Sequence, residues 1–396
     1  MNQRSATAEH RKAVPFWRDE RVLKVLVQIV FVMLVIAVGL WALSNYRERG
    51  LTFTFSFLDE EASFDLAEGI EFAPTDTYAR AFLVGVLNTL RVAGIGIIMA
   101  SVVGLFAGIA RLSNNWLVSK IAGVYIEIIR NTPLLVQLFF LYFAVILNLP
   151  SIKEVIVLPG PVYLSNRGIV FPWARLTASF GGWWWFVVAA LIGAVVLLII
   201  RKRGLKRTGH PSFSLLYVCV PLIAIPVLGW MLISGSPLLL DLPEMVVKSG
   251  GVLKVEGGAG FSSEFMALLL GLVVYTGAYI AEVLRAGIMS VPRGQTEAAR
   301  AQGFTRGQIL RLIVLPQALR VIIPPLISQY LNLTKNSSLA IAIGFLDIYA
   351  VSQTMLNQSG RVVEVFFMIM ASYLTMSLTI SLIMNIVNRR IQIVER

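Results

Sequence analysis

A chain whose apolar residues fall in blocks of about 20 has few options, because that is the length an α-helix needs to cross roughly 30 Å of hydrocarbon. Eight such blocks stand out: Val25 to Leu43, Ala81 to Ala110, Ile121 to Leu147, Gly182 to Ile200, Leu215 to Ile233, Phe265 to Gly287, Val321 to Phe345 and Val363 to Val387. A membrane barrel would alternate apolar and polar residues over strands of about 10, whereas Val92 to Ala110 is apolar or small throughout. With 57% hydrophobic and 14% charged residues in 396, and a mean hydropathy of +0.77, disorder and a water-soluble enzyme are both excluded. The expected fold class is all-α, a polytopic membrane protein of about eight helices.

An even number of spans puts both termini on one side. Lys and Arg gather on the cytoplasmic face of membrane proteins; the two terminal arms and the loops on their side carry 21 of them, against 9 in the opposite loops. Both termini are therefore predicted cytoplasmic. The +12 net charge reads as topology marking rather than a nucleic-acid surface, and the run Arg201, Lys202, Arg203, Lys206 and Arg207 fits that reading, with anionic lipid as its neighbour. The opposite loop 44–80 is rich in acids, among them Asp59, Glu60, Glu61, Asp65 and Glu68. The first block, 19 residues long, exceeds the about 7–15 apolar residues of a secretory signal and is expected to stay as a span. A single cysteine, Cys219, rules out an intrachain disulfide, and His10 and His210 offer no material for a metal site.

Residues 148–181 and 234–263 carry Pro and Gly and flank the fourth and fifth blocks. Inserting a helix pair leaves the topology of everything after it unchanged, so 148–264 reads as an insertion. The organisation is then an arm 1–24, an accessory helix 25–43, a loop 44–80, a core in two parts, 81–147 and 265–396, and the insertion between them. Gly104 and Gly108 form a small-x-x-x-small pair that favours close helix packing. Trp183, Trp184 and Trp185 look like an interfacial belt.

The loop 288–320 is too patterned for a mere connector. Thr296 is expected to cap a short helix with Glu297 in its first turn and Ala298, Ala299 and Ala301 along it. Gly303 suits a left-handed helix end, and Gln308 to Val314 begins a second amphipathic stretch that Pro316 is expected to halt. On composition alone this is either a segment packed on lipid headgroups or a knob shaped for another protein.

Glu297-Ala298-Ala299, three residues, Gly303, nine residues, Ile313, one residue and Leu315-Pro316 resembles the EAA loop of ABC importer membrane subunits at every anchor. YIEIIRNTPLLVQLFF at 125–140, YTGAYIAEVLRAGI at 275–288, LPQALR at 315–320 and KNSSL at 335–339 are similar to the polar amino acid permeases of that family. The likeness covers about residues 80–390, and the extra first helix and large insertion resemble the long permeases of general L-amino acid transporters. The resemblance implies a type I importer permease core of five helices in a bacterial inner membrane. It also implies coupling through Glu297, Ala298, Ala299, Gly303, Ile313, Leu315 and Pro316 to two copies of a cytoplasmic ABC ATPase. ATP and magnesium belong to that partner, and this chain holds no cofactor; it has no G-x-x-x-x-G-K-[ST] sequence. The other implied partners are a second permease subunit in a heterodimer, a periplasmic amino-acid-binding protein and membrane lipid.

Ionisable groups inside apolar spans need a partner or a watery path. Glu127 with Arg130, and Glu282 with Arg285, are three apart and share a helix face, where they can pair; Arg91 needs a partner too. For Glu127, Arg130 and Lys335 a structural role stands beside contact with a passing amino acid, and Lys335 can equally snorkel to the interface. Asn336, Ser337 and Ser338 adjoin it and complete the candidate substrate path, while Thr132, Pro133, Pro324 and Pro325 are candidate kinks. The competing class is an ion-gradient-coupled amino acid carrier, whose coupling carboxylates would have to be Glu127 and Glu282. A membrane-embedded enzyme finds no His, Cys or carboxylate constellation to work with.

Overall fold

The computed structural model describes residues 20–48, 53–210, 214–248 and 252–391. They belong to two compact units divided between Leu58 and Asp59. The first holds α1 (Glu20–Glu48), whose stretch Leu23–Trp41 is long and apolar enough to cross a membrane. Of the expected arm 1–24, residues 1–19 lie outside the described residues, and the rest is already helix.

The second unit opens with α2 (Tyr78–Arg111), begun by Thr77, whose hydroxyl accepts from the Arg80 amide. Next come α3 (Trp116–Asn131) and α4 (Leu134–Phe139), the latter continuing in π-helical turns through Ile146. The single span expected over 121–147 is corrected here, because α3 and α4 meet at 107°. Pro133 is the cause: it has no N–H to continue the helical ladder. The freed carbonyls of Ile129 and Thr132 both accept from the buried Gln137 amide, each at 2.9 Å, so the bend leaves those acceptors satisfied.

Beyond the bend lie β1 (Ile156–Leu158), β2 (Val162–Ser165), β3 (Gly168–Phe171) and β4 (Trp173–Leu176), then α5 (Phe180–Thr208) and α6 (Leu216–Leu232). The chain returns through β5 (Leu238–Asp241), β6 (Glu244–Lys248), β7 (Val252–Glu256) and β8 (Ala259–Ser262). All pairings are antiparallel, in a sheet of order β1-β2-β3-β8 and in the ribbons β4-β5 and β6-β7. The pairs β3-β8 and β4-β5 join residues on either side of the helix pair, so the two flanking segments close into one strand subdomain. The helical fold class holds for the membrane part; these strands are an addition that hydropathy does not announce.

After β8 comes α7 (Ser263–Met289), begun by the Ser262 hydroxyl accepting from the Phe265 amide. It is followed by α8 (Arg293–Ala301), α9 (Arg306–Ile309), α10 (Leu315–Asn336), α11 (Ile348–Ser359) and α12 (Val362–Ile391). All eight apolar blocks are helical, but among the described residues six helices qualify as spans, seven if the bent pair counts as one, and α6 is short. The expectation that Pro316 halts a helix is corrected: α9 runs through a π-helical turn, Leu310–Val314, straight into α10. Pro316 lies inside that continuous helix, directly after its π-helical turn, and does not end it.

At the centre α7 lies against α2 and α10, with Val92, Ala100, Leu268, Leu272, Ile280 and Leu333 buried together. A Cβ on Gly104 would stand 2.6 Å from the Ile280 side chain, and one on Gly108 would stand 3.1 Å from the Ala281 carbonyl. The small-residue pair therefore serves close packing, as expected. Gly287 of α7 makes similar room for Ile322 of α10. We call the end of the bundle that carries 288–320 the loop face and the opposite end, with the strands, the strand face.

Candidate functional site

The loop 288–320 folds as a knob. Its helix α8 begins one turn earlier than expected: Pro292 holds the N-cap position, and Thr296, expected there, lies inside α8 with its hydroxyl donating to the Arg293 carbonyl at 2.8 Å. Gly303 ends α8 with φ +82°, as its left-handed expectation required, and the Phe304 amide reaches back to the Ala299 carbonyl at 3.1 Å. Thr305 and Gln308 cap α9 reciprocally. Beneath them Ala299, Ile309 and Val314 form a small buried cluster with Ile288, Val291, Phe304 and Ile313 against it. The structure therefore divides the EAA anchors. Ala299 faces the knob's own interior, Glu297, Ala298, Gly303 and Leu315 are exposed, and Ile313 and Pro316 are half-buried.

At the loop face the Glu282–Arg285 pair forms as expected, at 2.6 Å. The expected Glu127–Arg130 pair does not. Arg130 turns instead to Glu282 on the neighbouring helix, 3.9 Å away, with its guanidinium 5.4 Å from the Tyr279 ring centre. Glu127 is exposed and makes no hydrogen bond or ion pair among the described residues. With Arg111 these side chains line a 200 Å³ cavity.

Lys335, Asn336, Ser337 and Ser338 lie toward the strand face, where α10 tightens into a 3-10 turn, Ser337–Ile343. Lys335 is exposed and Ser337 buried; the Ser337 and Ser338 hydroxyls donate to the Thr334 and Lys335 carbonyls at 2.9 and 2.8 Å. Nearby, Asp347 caps α11 by accepting from the Ala350 amide at 2.9 Å and from the Tyr373 hydroxyl at 3.2 Å. Burial pushes its carboxyl up to about 6, against the opposing pull of those hydrogen bonds. Thr89 accepts from the Ile348 amide, and Asn88 donates to the Leu346 and Glu68 carbonyls. Arg91 finds its partners here too: it lies against the stacked Phe261 and Phe265 rings, 4.8 and 4.9 Å from their centres, and donates to the Gly260 carbonyl at 3.1 Å and to Glu68 at 3.5 Å. Burial raises the Glu68 carboxyl, opposed by a Ser262 hydrogen bond and the Arg91 charge.

The candidate path residues are thus not one site. Thr89 and Arg111, which mark the two groups, are separated by about 33 Å of helix. Beside the strand-face group a 530 Å³ cavity opens between α2, α10 and α12, lined by Leu90, Ala93, Gly94, Thr334, Thr375 and Met376 among others. Among the described residues no group of His, Cys, Asp and Glu could hold a metal ion.

Residues 209–393 match the family described as the binding-protein-dependent transport system inner membrane component. Over 377 residues, 94% of each chain, the sequence is 45% identical to the putative amino-acid ABC transporter permease protein YhdX of Escherichia coli (strain K12). The chain belongs to the amino-acid ABC transporter permeases. The permease is also 40% identical to the general L-amino acid transport system permease protein AapQ of Rhizobium johnstonii, over 96% of this chain and 94% of that one. To the glutamate/glutamine/aspartate/asparagine transport system permease protein BztB of Rhodobacter capsulatus it is 36% identical, over 96% of each. As a permease subunit it is a multi-pass membrane protein and not itself an enzyme, and its family works with ATPase and binding-protein partners. Sequence reasoning about this permease missed Gln137, Glu68, Asn88 and Asp347. Asp347, directly before an apolar helix, carried an N-cap signal that could have found it.

Proposed function

We propose that the permease forms half of the translocation path of an L-amino acid importer of broad range, as the names of its relatives suggest, paired with a second permease as a heterodimer. The carrying observation is the knob. It has its own buried cluster and joins α7 to α10, the two helices locked together at Gly287 and Ile322, so a push on the knob is delivered to the middle of the bundle. Glu297, Ala298 and Gly303 form the surface offered to the ABC ATPase, whose two copies hold ATP and magnesium; Ala299, Ile313, Leu315 and Pro316 keep that surface in shape. The substrate passes the cavity beside Thr334 and Lys335, with Asn336, Ser337 and Ser338 as its polar neighbours, while Arg130 and Glu127 serve the loop-face end. Both termini are on the ATPase side of the inner membrane, and the binding protein delivers from the strand face. Reconstituted with its partners, the Gly303→Asp variant should insert normally, lose uptake and leave ATP hydrolysis unresponsive to the loaded binding protein. Full uptake by that variant would remove the knob from the coupling path, and wild-type uptake that vanished with ionophores would favour an ion-driven carrier.

A further inference from the structure

The β4-β5 ribbon has a composition that water does not explain. Its register pairs Trp173 with Asp241, Ala174 with Leu240, Arg175 with Leu239 and Leu176 with Leu238. Opposed residues share a face and successive ones alternate, so Trp173 and Leu239 occupy one face and Leu176 and Leu240 the other. All four are exposed, at 59, 55, 58 and 68% respectively. A two-stranded ribbon is marginal in water, and one with exposed Trp and Leu on both faces, beside Arg175 and Asp241 on the Trp173 face, and with open edges is a template for aggregation. Something covers it.

Its attachment points to what that is. The Thr177 amide donates to the Pro237 carbonyl at 3.1 Å, the Thr177 hydroxyl to the Ser236 carbonyl at 2.7 Å and the Ser179 hydroxyl to the Ser234 carbonyl at 3.0 Å. The ribbon is therefore bonded to the end of the α5/α6 pair. The Phe180 amide donates back to the Thr177 carbonyl at 3.0 Å, a turn that keeps those two residues within about 7 Å. At that same end Trp183 donates to the Pro226 carbonyl at 2.8 Å and packs edge-on against Trp230 at 5.8 Å, while Trp184 and Trp185 are exposed. Tryptophans collect where headgroups meet acyl chains, and α5 is long and apolar enough to span. Hydrocarbon would leave the ribbon's edge N–H and C=O groups unsatisfied; the headgroup layer offers water and phosphates to the edges and an apolar boundary to the leucines.

We propose that the β4-β5 ribbon is seated in the phospholipid headgroup layer, with Trp173, Leu176, Leu239 and Leu240 dipping toward the acyl chains and Arg175 reaching a phosphate, so that it moors the insertion to the bilayer. The proposal needs α5 to span and is independent of which amino acids are carried. In a Cys219→Ser background, Leu239→Cys and Leu240→Cys report the two faces, with Trp184→Cys as the interfacial reference. Each is labelled with bimane, assembled with the partner subunits and placed in nanodiscs of ordinary or dibrominated phosphatidylcholine. Bimane at 239 and 240 should lose about half its intensity in brominated lipid, as at 184, because interfacial segments lie ~5–10 Å into the boundary region, within quencher contact. Intensities at both positions that do not change with bromination overturn the proposal, including the case in which added binding protein or the second permease shields them from iodide, which would give the ribbon a protein partner instead. Either label suffices if the other variant fails to fold.

Discussion

The core and the insertion of this permease are both apolar helices, yet they are built on opposite terms. In α7, 61% of the most apolar stretch is buried, against 11% in α5. The core helices approach one another through glycines pressed against side chains or backbone, as at Gly104, Gly108 and Gly287, whereas in the insertion such an approach, Gly229 against Phe186, lies within the α5/α6 pair and a Cβ on Gly181 or Gly193 of α5 would meet nothing within 4 Å. Lipid tails are as apolar as leucine, so helix association in a bilayer rests on packing and hydrogen bonds rather than on escape from water. The core is held by shape; the α5/α6 pair is held chiefly by itself and by the strands that carry it. On the proposed function, that difference suits a core that relays motion and an appendage that does not.

The largest effect that could break this contrast is at Gly104. Gly104→Val has no room beside Ile280, and overpacking of this kind costs about 1–3 kcal/mol or more; the variant should fail to accumulate as folded protein, scored by detergent-solubilised size-exclusion profiles. Next is Asp347. Its raised folded-state value means that stability present while the carboxyl is neutral is lost as pH rises through about 6. Wild-type permease should therefore be more heat-stable at pH 5 than at pH 7, by about 1 kcal/mol, and Asp347→Asn, which keeps the cap, should flatten that dependence. A wild-type melting curve indifferent to pH would place the carboxyl in water. Glu282→Gln leaves two guanidiniums without their carboxylate. For this partly exposed pair the loss should be about 2 kcal/mol, less than for a fully buried one, and should appear as a lowered melting temperature. Smallest of all, Gly193→Val on α5 should change neither melting nor uptake. Equal damage from Gly193→Val and Gly104→Val would abolish the distinction between the two regions.

The sequence announced the parts whose signal is local. Blocks of about 20 apolar residues marked the helices, the anchor spacing marked the knob, Gly303 its left-handed end, and Gly104 with Gly108 a packing face. What stayed hidden depends on residues far apart. The partner of Arg130 is 152 positions away at Glu282, while i to i+3 spacing could only offer Glu127. Strands of three to five residues, such as Ile156–Leu158 and Glu244–Lys248, are too short for a hydropathy window, and the β3-β8 and β4-β5 pairings, which cross the helix pair, have no local trace. Pro133 announced a kink, but the size of the bend depends on Gln137 closing over two carbonyls. Likewise the inward turn of Ala299 is set by Ile309 and Val314, beyond the reach of its own motif.

The bonds that fasten Thr177 to Ser236 and Pro237 bring the chain back to its starting point after 59 and 60 residues. A detour that begins and ends at one doorstep can be lengthened, shortened or excised without rethreading the rest. The α5/α6 pair is in that sense a cassette. Lineages could gain or shed it, and a genetic engineer could swap it for a tight turn, while the machinery that moves amino acids keeps its wiring.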